Sequence, residues 1–168
     1  MAVLEPPDSH FLNAATGWLE LGNPREAALE LDRITPDNQS HPAVLESRWR
    51  SLADQKQWES ALAVACLRAR TAPNEPDGWI EQSYALHEMR RTREAVAVLL
   101  PLIKRFPAVS TIPYNLACYA CQLGDLALAN KWLEKAVKIR GREEIKALAL
   151  KDPDLKPLWT AIGGWQGG

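Results

Sequence analysis

Cys118 and Cys121 form a Cys-x-x-Cys, the spacing that gives one thiol a lowered pKa when it opens a helix after a strand. Here the pair lies inside Tyr114-Asn-Leu-Ala-Cys-Tyr-Ala-Cys-Gln-Leu-Gly124, a run that reads as the middle of a helix. Cys66 stands alone, so no second pair completes a tetrahedral zinc site. Packing or groove lining is the expected role of these thiols. His10, His41 and His87 are widely separated, and the chain has no His-Glu-x-x-His, no nucleophile elbow and no glycine-rich phosphate loop. Glu143 and Glu144 are adjacent on what should be a solvated helix face, not paired across a pocket. These residues predict no enzyme, no cofactor and no metal.

Charge and composition narrow the classes further. The 168 residues are 46% hydrophobic and 24% charged, which fits a folded globular chain and excludes a disordered one. Three cysteines are too few for a disulfide scaffold, and their odd number fits a reducing compartment. Met1 to Ser9 carries Glu5, Pro6, Pro7 and Asp8, unlike a secretory signal, and no apolar run approaches the ~18 residues of a membrane span. A cytoplasmic chain with no membrane partner is expected. The formal charge of −1 conceals an asymmetry: residues 1–88 hold 7 basic and 14 acidic side chains, residues 89–168 hold 13 and 7. The basic cluster Arg90, Arg91, Arg93, Lys131, Lys135, Lys138, Arg140 and Arg142 has no interleaved aromatic residues on which bases could stack, so no nucleic acid is expected.

The elements that position these residues follow from a 34-residue period. Ala27, Ala61, Ala95 and Ala129 fall in one column without insertion or deletion. Ala15, Trp49, Ser83 and Ala117 form another, and Trp18, Leu52, Leu86 and Ala120 a third. Leu31, Ala65, Leu99 and Leu133 follow the alanine column by four residues. Gly22 and Gly124 share a turn column in which Lys56 and Arg90 also stand. Within one period, Ala95, Val98, Leu99, Leu102, Ile103 and Phe106 have the spacing of a core-facing helix. Each period is therefore a pair of antiparallel helices, with alanine where they approach most closely. A single pair cannot bury its apolar face, so neighbouring pairs must stack into an all-α solenoid. Pro101 interrupts the third period and should kink or split its second helix, whereas Pro113 sits near a helix start and does little harm. Trp18, Trp49, Trp58, Trp79 and Trp132 lie in or near packing columns, while Trp165 lacks periodic context and is expected to dock on the body or a neighbour.

With its 34-residue period, Trp79, Ala95 and Pro107 positions and Gly22/Gly124 turns, residues 8–141 resemble a tetratricopeptide repeat (TPR) protein. Repeats of about 8–41, 42–75, 76–109 and 110–141 are expected, with a flexible lead over 1–8, a cap over 142–162 and a glycine-rich tail over 163–168, so that 9–162 forms a single domain. Tyr114 to Asp125 and Asp152-Pro-Asp-Leu-Lys-Pro-Leu-Trp159 look like the closing module of some bacterial TPR arrays. Departures are Gln39 at the closing proline column of the first repeat, Trp49 and Arg68 at small-residue columns of the second, and Pro113 with Gly141 in the fourth.

The resemblance implies a right-handed superhelix whose concave groove is lined by the first helix of each repeat. Carried over position by position, the groove candidates are Asn13, Glu46, Arg50, Asp77, Glu81, Tyr84, Glu88, Tyr114, Asn115 and Cys118, with Asp54, His87 and Gln122 nearby. TPR domains that hold the carboxylate tails of heat-shock chaperones use lysines where this chain has Leu12, Glu46, Ile80 and Tyr114, so that clamp is absent. The acidic and aromatic groove predicts a protein or peptide partner with basic and apolar residues. Alternative expectations are a chaperone or secretion-type protein holding a client segment, and a scaffold whose oppositely charged halves give salt-sensitive head-to-tail self-association.

Overall fold

The computed structural model describes residues 3–165 and is all-helical, without strands among them. It comprises two compact units that divide between Ala85 and Leu86. The first contains α1 (Asp8–Glu20), α2 (Pro24–Asp32), a 3-10 turn (Pro36–Asn38), α3 (Pro42–Asp54) and α4 (Trp58–Thr71). The division falls inside α5 (Asp77–Glu88). The second unit continues with α6 (Thr92–Leu99), α7 (Leu102–Arg105), α8 (Thr111–Gln122), α9 (Leu126–Arg140), α10 (Arg142–Ala149), a 3-10 segment (Pro153–Leu158) and α11 (Trp159–Gly163).

The alanines of the packing column, Ala27, Ala61, Ala95 and Ala129, are completely buried. Helix α1 packs on α2, α3 on α4, and α8 on α9. The turns that fold one helix back on the next share one construction. Gly22, Lys56, Arg90 and Gly124 all adopt positive φ, at 71°, 56°, 63° and 85°. Behind each, the next N–H reaches back five residues: Asn23 to the carbonyl of Trp18 (2.8 Å), Gln57 to Leu52, Arg91 to Leu86 and Asp125 to Ala120 (2.9 Å each). This satisfies carbonyls that a helix end leaves open. Lysine and arginine at two of the four positions thus occupy a conformation that glycine reaches without strain.

Departures from the motif are compensated by side chains. Gln39, in place of the closing proline, donates its amide to the carbonyls of Leu31 (3.0 Å) and Ile34 (2.7 Å) at the end of α2. Its Oε1 accepts from Arg48 Nη2 (2.8 Å), which also reaches Leu31 O (3.0 Å). Within the expected lead over 1–8, two of the described residues are held against the body. Leu4 is buried, and buried Asp8 accepts from the N–H of Thr35 (3.0 Å), the hydroxyl of Thr35 (2.5 Å) and the amide of Asn38 (2.7 Å). Those donors favour the ionised carboxylate and hold the Asp8 pKa below its usual value.

Pro101 splits the third repeat's second helix as expected: α6 ends at Leu99 and α7 starts at Leu102. Pro113 falls in the first turn of α8. Gly141, at φ 98° and ψ 152°, separates α9 from α10. The closing elements bury Ile145, Ala149, Leu155, Leu158 and Ile162, whereas Leu148 stays exposed. Trp165 is partly buried, and its carbonyl accepts from Lys146 Nζ, so it docks on the body of its own unit. The remainder of the expected tail, 166–168, lies outside the described residues.

The shared turn gives a direct prediction. Lys56→Gly and Arg90→Gly should each raise stability by about 1 kcal/mol, and Gly22→Ala should lower it by a similar amount. Urea unfolding at constant pH reads this; lower midpoints for both glycine variants would contradict it.

Candidate functional site

Within the first unit, helix α5 presents Asp77, Glu81 and Tyr84 at i, i+4 and i+7, one stripe; Glu88 belongs to the second unit and is exposed. In the first unit α3 presents Glu46, Arg50 and Asp54 at i, i+4 and i+8, all exposed. Asn13 on α1 is also exposed, and Arg50 Nη2 lies 3.5 Å from the carbonyl of Leu19. The stripe on α5 is set against α4 by Gly78. A Cβ there would stand 2.5 Å from the backbone nitrogen of Ala69 and 2.9 Å from Arg68, so only glycine permits this approach.

That approach brings Glu81 onto Arg68, and the two form a hydrogen-bonded ion pair with both side chains nearly buried. Glu46 adds a second carboxylate 3.8 Å from Arg68. Glu81 Oε2 and Trp49 Nε1 are buried with no hydrogen-bond partner among the described residues. The ring of Tyr84 meets the edges of Trp49 (centroids 6.4 Å apart, 69°) and Trp58 (5.7 Å, 68°), yet the residue remains 39% exposed. The result is an exposed tyrosine on an aromatic bed, in a part of the chain rich in acid. Sequence reasoning placed Glu81 and Tyr84 in the groove but missed their partners. The available sign was the pair of motif departures, Trp49 and Arg68, at columns where small residues belong.

The second unit is arranged differently. The face of α8 that carries Tyr114, Cys118 and Gln122 is covered by residues 152–158 of the same chain. Tyr114 Oη donates to Asp152 Oδ2 (2.9 Å), and Cys118 Sγ lies 3.4 Å from the same oxygen. Gln122 Nε2 donates to the carbonyl of Asp154 (3.2 Å). Buried His87 places Nε2 2.9 Å from Asp154 Oδ2 and Nδ1 3.0 Å from Thr92 Oγ1, with its ring 4.7 Å from that of Tyr119. A carboxylate only accepts, so Nε2–H donates to Asp154. Asn115 is partly buried beside this face.

The Cys-x-x-Cys has no lowered thiol. Burial, together with Asp152 and Asp154, pushes the Cys118 pKa well above its usual value, and burial raises Cys121 as well. All three cysteines are free, and the described residues contain no group of His, Cys, Asp and Glu placed to hold a metal. Burial likewise drives the Tyr114 phenol upward, reinforced by Cys118 and Asp152.

Glu81 makes the site pH-sensitive. Burial raises its pKa from 4.5 to about 7, against the opposing pull of Arg68 and with help from Asp77 and Glu46. The folded state thus binds this proton more tightly than the unfolded state. The corresponding stability is complete below about pH 4.5 and is lost as pH rises through about 7, an effect of at most on the order of 3 kcal/mol. Glu81→Gln, which keeps the shape and removes the charge, should flatten the fall in urea midpoint between pH 5 and pH 8. Identical pH profiles for both proteins would refute it.

No family model matches the chain, and no curated protein matches its sequence. Solved structures do resemble it. The thermophilic TPR protein TTC0263 of Thermus thermophilus superposes with a TM-score of 0.74 at 18% identity, covering 93% of this chain and 83% of that one. MamA, residues 41 to the end, from Desulfovibrio magneticus RS-1 gives 0.72 at 18% identity, with 96% of each chain covered. With the alanine columns and their helix pairs, these likenesses establish that the chain has the TPR solenoid fold.

Proposed function

We propose that the chain is a non-catalytic protein-interaction module that binds a partner peptide on the acidic, aromatic face of its first unit. The observation that carries this reading is Tyr84, held exposed on Trp49 and Trp58, one turn along α5 from Glu81, on which the charges of Glu46 and Asp77 act. An exposed aromatic anchor on a unit with an excess of acid favours a segment that supplies a basic residue beside an apolar one. Asn13 and Arg50 extend the surface along α1 and α3. Glu81 serves this face through Arg68, as the buried half of an ion pair. The mechanism is burial of partner surface, with no bond made or broken. Among the described residues no helix is long and apolar enough to cross a membrane, and a cytoplasmic location belongs to this proposal.

A second reading, head-to-tail self-association, is favoured by the excess of acid over 1–88 and of base over 89–168. One set of measurements separates the two. Affinity capture with wild type, with Tyr84→Ala/Asp77→Lys and with the distant control Glu26→Lys should lose the partner only in the first variant, at unchanged circular dichroism. Glu81→Lys is unsuitable, because it would oppose Arg68 in a buried pair. Equal capture by all three proteins contradicts the groove reading, and a monomer at both low and high salt in sedimentation contradicts self-association.

A further inference from the structure

We propose that the α8 face of the second unit is a separate peptide site, reading an acidic Asp-x-Asp-Leu segment of a partner protein, and that the chain's own residues 152–158 occupy it in cis. This site is independent of the Tyr84 face and of opposite preference. Its side chains present donors: the Tyr114 hydroxyl and Cys118 thiol to Asp152, His87 Nε2 to the Asp154 carboxylate, and the Gln122 amide to the Asp154 carbonyl. Thr92 fixes the imidazole through Nδ1, which leaves Nε2–H directed at the carboxylate. The surrounding sequence, residues 89–168, is basic by 13 side chains to 7. Acidic segments are therefore attracted to this unit and basic ones repelled.

The occupant has the features of a bound peptide. Asp152 Oδ1 accepts from the N–H of Asp154 (3.0 Å), a local turn that presents both carboxylates to one side. Leu155 follows and is fully buried, supplying the apolar anchor. Both carboxylates are only partly buried, and Asp154 keeps 32% of its side chain exposed, so the segment is held by directed hydrogen bonds at its aspartates as well as by the apolar burial of Leu155. Four donors converging on two aspartates constitute recognition chemistry. A partner segment with the same pattern replaces these contacts one for one. Its competitor is tethered, with an effective concentration on the order of 1 mM, so a partner gains access when it adds contacts beyond the motif or when the cis segment is weakened.

The test uses the full chain and a fluorescein-labelled peptide copying residues 151–159. Asp152→Asn/Asp154→Asn weakens the cis segment and should bind the peptide at least tenfold more tightly than wild type, as read by fluorescence anisotropy. Adding Tyr114→Phe/Gln122→Ala to that variant should remove the gain, as should a peptide with asparagine at both acidic positions. A second measurement holds if the variant loses its fold: with wild type, millimolar peptide should speed hydrogen exchange across 152–158, and a scrambled peptide should not. No tighter binding by a folded variant, or unaltered exchange in wild type, overturns the proposal. A concentration-dependent dimer of the variant, dispersed by the peptide, also overturns it, because the occupant is then a second copy of the chain.

Discussion

Two helices can close on each other only where nothing larger than a methyl group stands between them, and in this chain that place recurs every 34 residues at Ala27, Ala61, Ala95 and Ala129. Their complete burial fixes the separation of each helix from its neighbour, and that separation leaves little length for the connection. The chain reverses within a few residues through a left-handed position, which it tolerates even at Lys56 and Arg90. Side-chain entropy and backbone strain at these turns are offset by the carbonyls the turns satisfy and by the apolar surface the pairing buries.

The face proposed to bind a partner arises where the repeat pattern is broken. Trp49 and Arg68 are too large for their columns, and both are accommodated by residues of α5: the ring of Tyr84 packs against the tryptophan and Glu81 takes the guanidinium. Neither arrangement is the most stable filling for its site. A buried ion pair with a further carboxylate nearby rarely stabilises more than well-packed apolar groups would, and Glu81 retains a buried oxygen without a partner. Local rules are broken most often where a surface serves recognition. The second unit breaks the pattern in another manner, by laying its own acidic segment along α8.

The architecture was legible in the sequence because packing columns are periodic. The alanines, the helix break at Pro101 and the closing elements could all be placed from residue types alone. Half of the turn column was legible as well, because glycine announces positive φ; Lys56 and Arg90 were placed in it by spacing and not by type. The site was only partly legible. Glu81 and Tyr84 were carried over as candidates from the family resemblance, but their partners Arg68, Trp49 and Trp58 lie 13 to 35 residues away, in contacts with no repeating signature. The same holds for the anchoring of Asp8 by Thr35 and Asn38, and for the cover over Tyr114 and Cys118, where partners stand 27 to 38 residues apart. Exposure deduced from a periodic pattern fails wherever a non-repeating segment folds back over it.

The central claim is that partners are met by the first-helix face around Tyr84 and not by the outer helices. Site-specific photocrosslinking tests it even where the partner is unidentified. A benzophenone amino acid placed at Tyr84 is compared with one at Leu29, which lies on α2 and is 60% exposed. A discrete higher-mass adduct is expected from position 84 and none from position 29. Adducts from position 29 alone would contradict the claim.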